Sequence, residues 1–223
     1  CAHENKPQPI WDAIVNAKPD LFIFAGDNIY ADTEDMEVMK AKYAKLAAQP
    51  GYKSLLETCP VLATWDDHDF GVNDGGKHYS MKKESAEVFL DFFGVPNSDP
   101  RRARDGIYAS QMFGPKGRKV QIILLDTRYF RDDLDKYAKG ESKPKDIVGW
   151  YKPTKDTSRT LLGEAQWSWL EEELGKSAEV RIIVSSIQVE SWEKGMECWG
   201  NMPHERDRLF KLIDKTNANG CFF

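Results

Sequence analysis

The chain has 223 residues, a formal net charge of −5, 41% hydrophobic and 30% charged residues. That length suits one large α/β domain or two small ones, enough to bury roughly 70% of the unfolded surface. The acidic balance, without a Lys/Arg stripe, argues against specific nucleic-acid binding. No apolar run reaches the roughly 18 residues of a membrane-spanning helix, so no membrane span is expected.

Taken in chain order, Pro9 to Ala17 reads as a short helix with Pro near its start. "DLFIFAG" follows as a continuous apolar run ending in Gly, the pattern of a buried strand. "MEVMKAKYAKLAAQ" is an amphipathic helix of strong helix formers. Pro60 to Trp65 is a second buried strand, ended by an acidic cluster. Ser80 to Phe93 is a helix with Ser80 at the N-cap. "DGIYASQMFGPKGRKVQIILLDTR" predicts a hairpin turning at "GPKG". Residues 130 to 160 are polar and rich in Lys and Asp, and read as a long surface loop or lid. "GEAQWSWLEEELGK" is a helix with Gly175 as C-cap. "VRIIVSSIQ" is a strand, "PHERDRLFKLIDKT" a helix begun by Pro203, and "CFF" the start of a final strand. Helices alternate with strands, so the class is α/β, with helices outside and sheet inside.

Cys1, Cys59, Cys198 and Cys221 are widely spaced and form no CxxC pair, so neither a zinc ribbon nor a disulfide framework is indicated. Cys59, Cys198 and Cys221 read as small buried apolar residues. Both ends look cut. The chain starts at Cys1 without Met or leader, and "NGCFF" stops where a strand is just beginning. A fragment is therefore expected.

Three apolar strands end in acidic or polar residues: "FIFAGDNIYAD", "VLATWDDHDFGVND" and "IILLDTRYFRDD". In open α/β sheets ligands bind outside the carboxyl ends of the strands. Crowded carboxylates repel and raise one another's pKa unless a cation neutralises them, so a bound metal is the simplest resolution. In "GDNIY", Gly26 allows a sharp turn, Asp27 projects from the strand end, and Tyr30 reaches the same centre; a turn Asp with a packed Tyr is the plain alternative. In "DDHD", His68 between Asp67 and Asp69 reads as a ligand or a tuned general acid, against an ordinary exposed loop. In "LDTR", Arg128 is a phosphate clamp or the holder of an Asp ligand, against a salt-bridged strand end.

Taken together, Cys1, "GDNIY", "WDDHD" with "ND" after it, "LDTR", "SSIQV" and "WGNMPHERDRLFKLI" resemble the alkaline phosphatase D (PhoD-like) family of calcineurin-like metallophosphoesterases. The resemblance runs from Cys1 nearly to Phe223. It implies a four-layer α/β/β/α sandwich with two mixed sheets, forming one catalytic domain over residues 1–223. It implies hydrolysis of phosphate mono- or diesters at a multi-metal centre of iron and calcium, a small phosphate-ester substrate, and a periplasmic, secreted or cell-surface location. By motif position Cys1 and Tyr30 match the ligands of iron, Asp27 the bridging carboxylate and Asp67 a ligand of the second metal. Asn73 and Asp74 are further candidates. His68 matches the residue that contacts the phosphate and protonates the leaving oxygen. Thiolate and phenolate ligands suit iron, and hard oxygen ligands suit calcium.

Two departures stand out. A "GDxH" segment is expected after the last helix and strand, just where this chain ends. A His expected before "PHERDRLF" is replaced by "SSIQVESW", with Gln188 the nearest candidate. Among the remaining residues, His3 reads as a bystander near the site, His78 as solvated and His204 as a cap. Trp167, Trp169, Trp192 and Trp199 read as core and lid packing. Competing readings are a non-catalytic calcium-binding α/β module and a sulfate-ester hydrolase on the same scaffold.

Overall fold

A computed structural model describes residues 2–191 and 194–223. The chain divides into two compact units, Cys1–Ile107 and Tyr108–Phe223. Cys1 and Trp192 lie outside the described residues.

In the first unit, helix α1 (Ile10–Asn16) buries Trp11 and leads into strand β1 (Phe22–Ala25). Helix α2 (Met36–Ala48) begins at Asp35, whose carboxylate accepts the N–H groups of Glu37 and Val38. Helix α3 (Pro50–Thr58) follows at once, with Pro at its start. Strand β2 (Val61–Thr64), the short helix α4 (Asp67–Phe70) and helix α5 (Lys82–Phe92) complete it. Strands β1 and β2 are parallel, Phe22 opposite Val61 through Ala25 opposite Thr64. A parallel pair needs a crossover, here α2 and α3. The register also brings the carboxyl ends of both strands together, so the loops after Ala25 and Thr64 start side by side. A connected set of rings, including Trp11, Phe24, Tyr52, Phe89, Trp65 and Phe70, fills the core. Such ring pairs contribute about 0.5–1.5 kcal/mol each beyond their buried area.

In the second unit, β3 (Ala109–Phe113) and β4 (Val120–Leu124) form the expected antiparallel hairpin. Two short strands, β5 (Asp135–Lys136) and β6 (Tyr151–Lys152), pair within the 130–160 segment. Helix α6 (Gly163–Leu174), strand β7 (Val180–Val184), helix α7 (Pro203–Lys215) and strand β8 (Cys221–Phe222) follow. The sheet order is β3-β4-β7-β8, with β4, β7 and β8 parallel and β3 antiparallel, a mixed sheet. Its core joins Ile123, Ile183, Trp167, Leu170, Trp199 and Leu209.

Several local expectations are corrected. Ser80 is not the N-cap of α5; Met81 is, and Ser80 Oγ donates to Glu34 instead. Gly175 is the C-cap of α6 as expected, though with right-handed backbone (φ −72°). Cys59 and Cys198 are buried, but Cys221 is only partly so. Among the described residues no helix is long and apolar enough to cross a membrane.

Candidate metal centre and active site

The site is built at the carboxyl ends of β1 and β2. Gly26 (φ 115°) turns the chain out of β1. Asp27, Asp32 and Asp74 then adopt left-handed backbone, with φ of 52°, 43° and 56°. Asp tolerates this region better than most residues, but each instance still costs about 1 kcal/mol and needs support. The support is specific. The Asp27 N–H donates to Asp69 Oδ1 (3.2 Å), the Asp32 N–H to the His68 carbonyl (3.4 Å) and the Asp74 N–H to Asp67 Oδ2 (2.8 Å). Residues of α4 therefore hold all three.

Asp69 is the central brace. It is fully buried and also accepts the Asn28 N–H (3.2 Å), the Asn28 amide (2.5 Å) and the Asp66 N–H (2.7 Å). The Asp66 carboxylate returns a bond to the Asp69 N–H, closing a capping box at the start of α4. Burial pushes the Asp69 carboxyl well up, opposed by the backbone donors aimed at it. Asn28 Nδ2 also reaches the Thr64 carbonyl at 2.9 Å. Between two acceptors, its amide orientation is fixed.

On this frame Asp27, Asp67 and His68 each offer a ligand atom, and these atoms lie within 4.8 Å of one another. Asp67 is buried, Asp27 and His68 partly so. Burial and then the charge of Asp67 push the Asp27 carboxyl above its ordinary value. Two converging carboxylates that resist ionising together are a donor set that fits a cation. Tyr30 donates its hydroxyl to Asp27 Oδ2 at 3.0 Å. Burial and the Asp27 charge hold the Tyr30 phenol above its ordinary range, so a phenolate there requires a positive partner. The Tyr30 ring packs on the imidazoles of His3 (4.8 Å) and His68 (4.2 Å). His3 thus lies against Tyr30, close to the site as its place just after Cys1 suggests. His68 Nδ1 lies 2.8 Å from each carboxylate oxygen of Asp32. Burial pulls the His68 pKa down, but the Asp32 hydrogen bond and the Asp67 and Asp27 charges outweigh it and leave it raised.

Asn73 is exposed, one residue before Asp74. In the second unit, Arg128 is fully buried and binds Glu197 through both terminal nitrogens at 2.8 and 2.7 Å, while Arg131 reaches the same carboxylate at 3.0 Å. Asp126 is buried and accepts the N–H groups of Arg128 and Tyr129, shaping the turn after β4. Gln188 is exposed, with its backbone bridged to Cys198. His204 holds the Arg159 carbonyl at 2.7 Å, and His78 is exposed. Buried Glu205 receives the Thr160 hydroxyl, the Leu161 N–H and the Trp167 indole. The residues that sequence reasoning missed are Asp32, Asn28 and the bracing role of Asp69. For Asp32 the available signal was an Asp closing the "GDNIYAD" loop.

A family model described as PhoD-like phosphatase matches residues 1–223. The chain belongs to the PhoD-like phosphatase family. Among relatives, alkaline phosphatase D of Bacillus subtilis (strain 168) is 26% identical over 215 residues, covering 85% of this chain and 34% of the relative. The solved structure described as "Structure of PhoD" superposes with a TM-score of 0.73 at 21% identity, over 95% of this chain and 46% of that one. This likeness carries the fold, the α/β type expected from the sequence. The chain spans about a third of the length of the curated PhoD-like relative and about half of the solved one.

Proposed function

We propose that this chain carries the metal-binding core of a phosphoesterase that hydrolyses phosphate mono- and diesters with an activated water, with residues 1–223 belonging to one catalytic domain. The observation that carries the reading is the convergence of Asp27, Asp67 and His68 at paired strand ends in a chain of this family. Asp27 and Asp67 hold the cations. Tyr30 and, by the family resemblance, Cys1 would hold an iron, and the carboxylates with Asn73 would suit calcium. Bound cations neutralise the carboxylates, polarise the phosphoryl oxygens and lower the pKa of water. His68, with Nδ1 held by Asp32, would bind a phosphoryl oxygen and give a proton to the departing alkoxide. Arg128 takes a holding role, fixing Glu197 through a bidentate pair. The substrate class is a small phosphate ester and the location is outside the cytoplasm, both carried over from the family resemblance.

The test is hydrolysis of bis-p-nitrophenyl phosphate and of p-nitrophenyl sulfate by the purified chain, loaded with iron and calcium and then stripped by a chelator. Phosphate-ester turnover that is lost on stripping, and lost in Asp27→Ala and His68→Ala, supports the reading. Calcium binding without turnover marks a non-catalytic module, and preference for the sulfate ester marks a sulfatase.

A further inference from the structure

We propose that the apolar cluster Val148, Trp150 and Met196, with the lysines around it, is a docking surface for an anionic lipid membrane. The assignment is independent of the phosphoesterase reading. These three side chains are 72%, 49% and 48% exposed, and large apolar groups left together in water mark an interaction surface. The backbone brings them together. Exposure alternates from Val148 to Tyr151, with Val148 and Trp150 exposed and Gly149 and Tyr151 buried, so Val148 and Trp150 share one face. The Gly149 N–H donates to the Lys194 carbonyl at 2.8 Å and the Tyr151 N–H to the Gly195 carbonyl at 2.9 Å, which sets Met196 beside them. A Cβ on Gly149 would collide with the Gly195 carbonyl oxygen, so this close approach requires Gly. On its other side the Trp150 carbonyl accepts the Tyr137 N–H at 2.9 Å. The indole is thus presented from a backbone tied on two sides.

The surrounding charge points to the partner. Residues 136–155 hold six Lys against one Glu and one Asp, an excess of +4 in a chain of net −5. Glu141 is itself paired with Lys152 at 2.7 Å. Lys143, Lys145 and Lys194 are exposed, and Lys143 Nζ reaches the Gly149 carbonyl at 2.9 Å, between Val148 and Trp150 in the chain. An indole and two aliphatic side chains flanked by ammonium groups suit the boundary between headgroups and acyl chains. The apolar groups enter it, and the lysines reach back to lipid phosphates. A protein partner fits less well, because stable protein interfaces take about 20–30 residues a side. A small apolar patch backed by basic charge matches reversible attachment to a membrane surface.

Cosedimentation of the full chain with vesicles of phosphatidylcholine, with and without phosphatidylglycerol, tests this and needs neither metal nor turnover. Binding is expected to the phosphatidylglycerol vesicles, with little to phosphatidylcholine alone, and should fall as salt rises from about 50 to about 500 mM. Trp150→Ala should weaken it about tenfold. Lys145→Gln and Lys194→Gln should each weaken it about fivefold, and Asp146→Asn should strengthen it. The chain has seven Trp. Quenching of their emission by lipids brominated in the acyl chain should be lost in Trp150→Phe, which reads insertion rather than adhesion. The altered side chains are exposed, so the unfolding midpoint should stay fixed and verifies that each variant folds. Equal binding to both kinds of vesicle, binding that Trp150→Ala leaves unchanged, or no binding at all overturns the assignment. Self-association that Trp150→Ala abolishes, in place of vesicle binding, also overturns it and makes the cluster a contact between copies.

Discussion

Asp69 accepts both the backbone N–H and the side-chain amide of Asn28. One buried carboxylate thereby fastens the turn after β1 to the helix after β2. Its remaining capacity takes the N–H groups of Asp27 and Asp66, so the placement of Asp27 depends on it.

Asp69→Asn keeps the shape but sets an NH₂ against donors. Leaving buried donors unpaired should cost about 3 kcal/mol of stability. Urea unfolding measures this, and a loss below about 1 kcal/mol would contradict the bracing role.

Much of this frame is legible in the sequence. The runs "FIFAG" and "PVLATW" have no charge to interrupt them and became β1 and β2. Helices α2, α6 and α7 follow their apolar spacing. What was not legible depends on tertiary partners. Helix α4 is four residues of "DHDF", polar enough to read as a loop, and its backbone bonds from Phe70 to Asp66 and Gly71 to Asp67 are braced by the closing bonds between Asp66 and Asp69. Helix α3 hides behind Gln49–Pro50, where a break and a new start coincide. Asp32 and His68 are 36 residues apart, so no local pattern links them. Ser80 resembles a cap, but Glu34, far away in sequence, takes its hydroxyl.

Gly71 closes α4 where a side chain has no room. An added Cβ falls 2.2 Å from Cζ of Tyr79, whose hydroxyl binds the Thr33 carbonyl at 2.6 Å. Gly71→Ala should cost about 1–3 kcal/mol. The penalty should shrink in a Tyr79→Ala background, as a double-mutant cycle by thermal unfolding reads. Equal penalties in both backgrounds would assign the cost to something other than the ring.

His68 gives a pH signature in the metal-free protein. Its folded pKa is raised, so it contributes stability that is full below the unfolded value of about 6.5 and lost as pH rises through the folded value. Wild type should therefore exceed His68→Gln in stability most clearly in mild acid, with the gap closing above neutrality. Chemical denaturation across pH checks this; a gap that widens with pH would contradict the raised pKa.

Arg128→Lys keeps the charge but loses the fork that meets Glu197 through two nitrogens. At a fully buried site this should cost about 2 kcal/mol, and the loss should be insensitive to salt. Denaturant unfolding at low and high ionic strength measures both. A neutral substitution would show that the bidentate geometry is dispensable.

The account turns on whether Asp27 and Asp67, which converge at the paired strand ends, hold a cation. Calorimetric titration of Ca²⁺ into the metal-free chain, its Asp27→Asn and Asp67→Asn variants, and a control changed at Asp146, an exposed carboxylate of the 130–160 segment (Asp146→Asn), tests this most directly. Saturable binding in wild type and control, weakened at least about tenfold in the two site variants, is the predicted result. Equal binding in all four proteins, or binding in none, would contradict it.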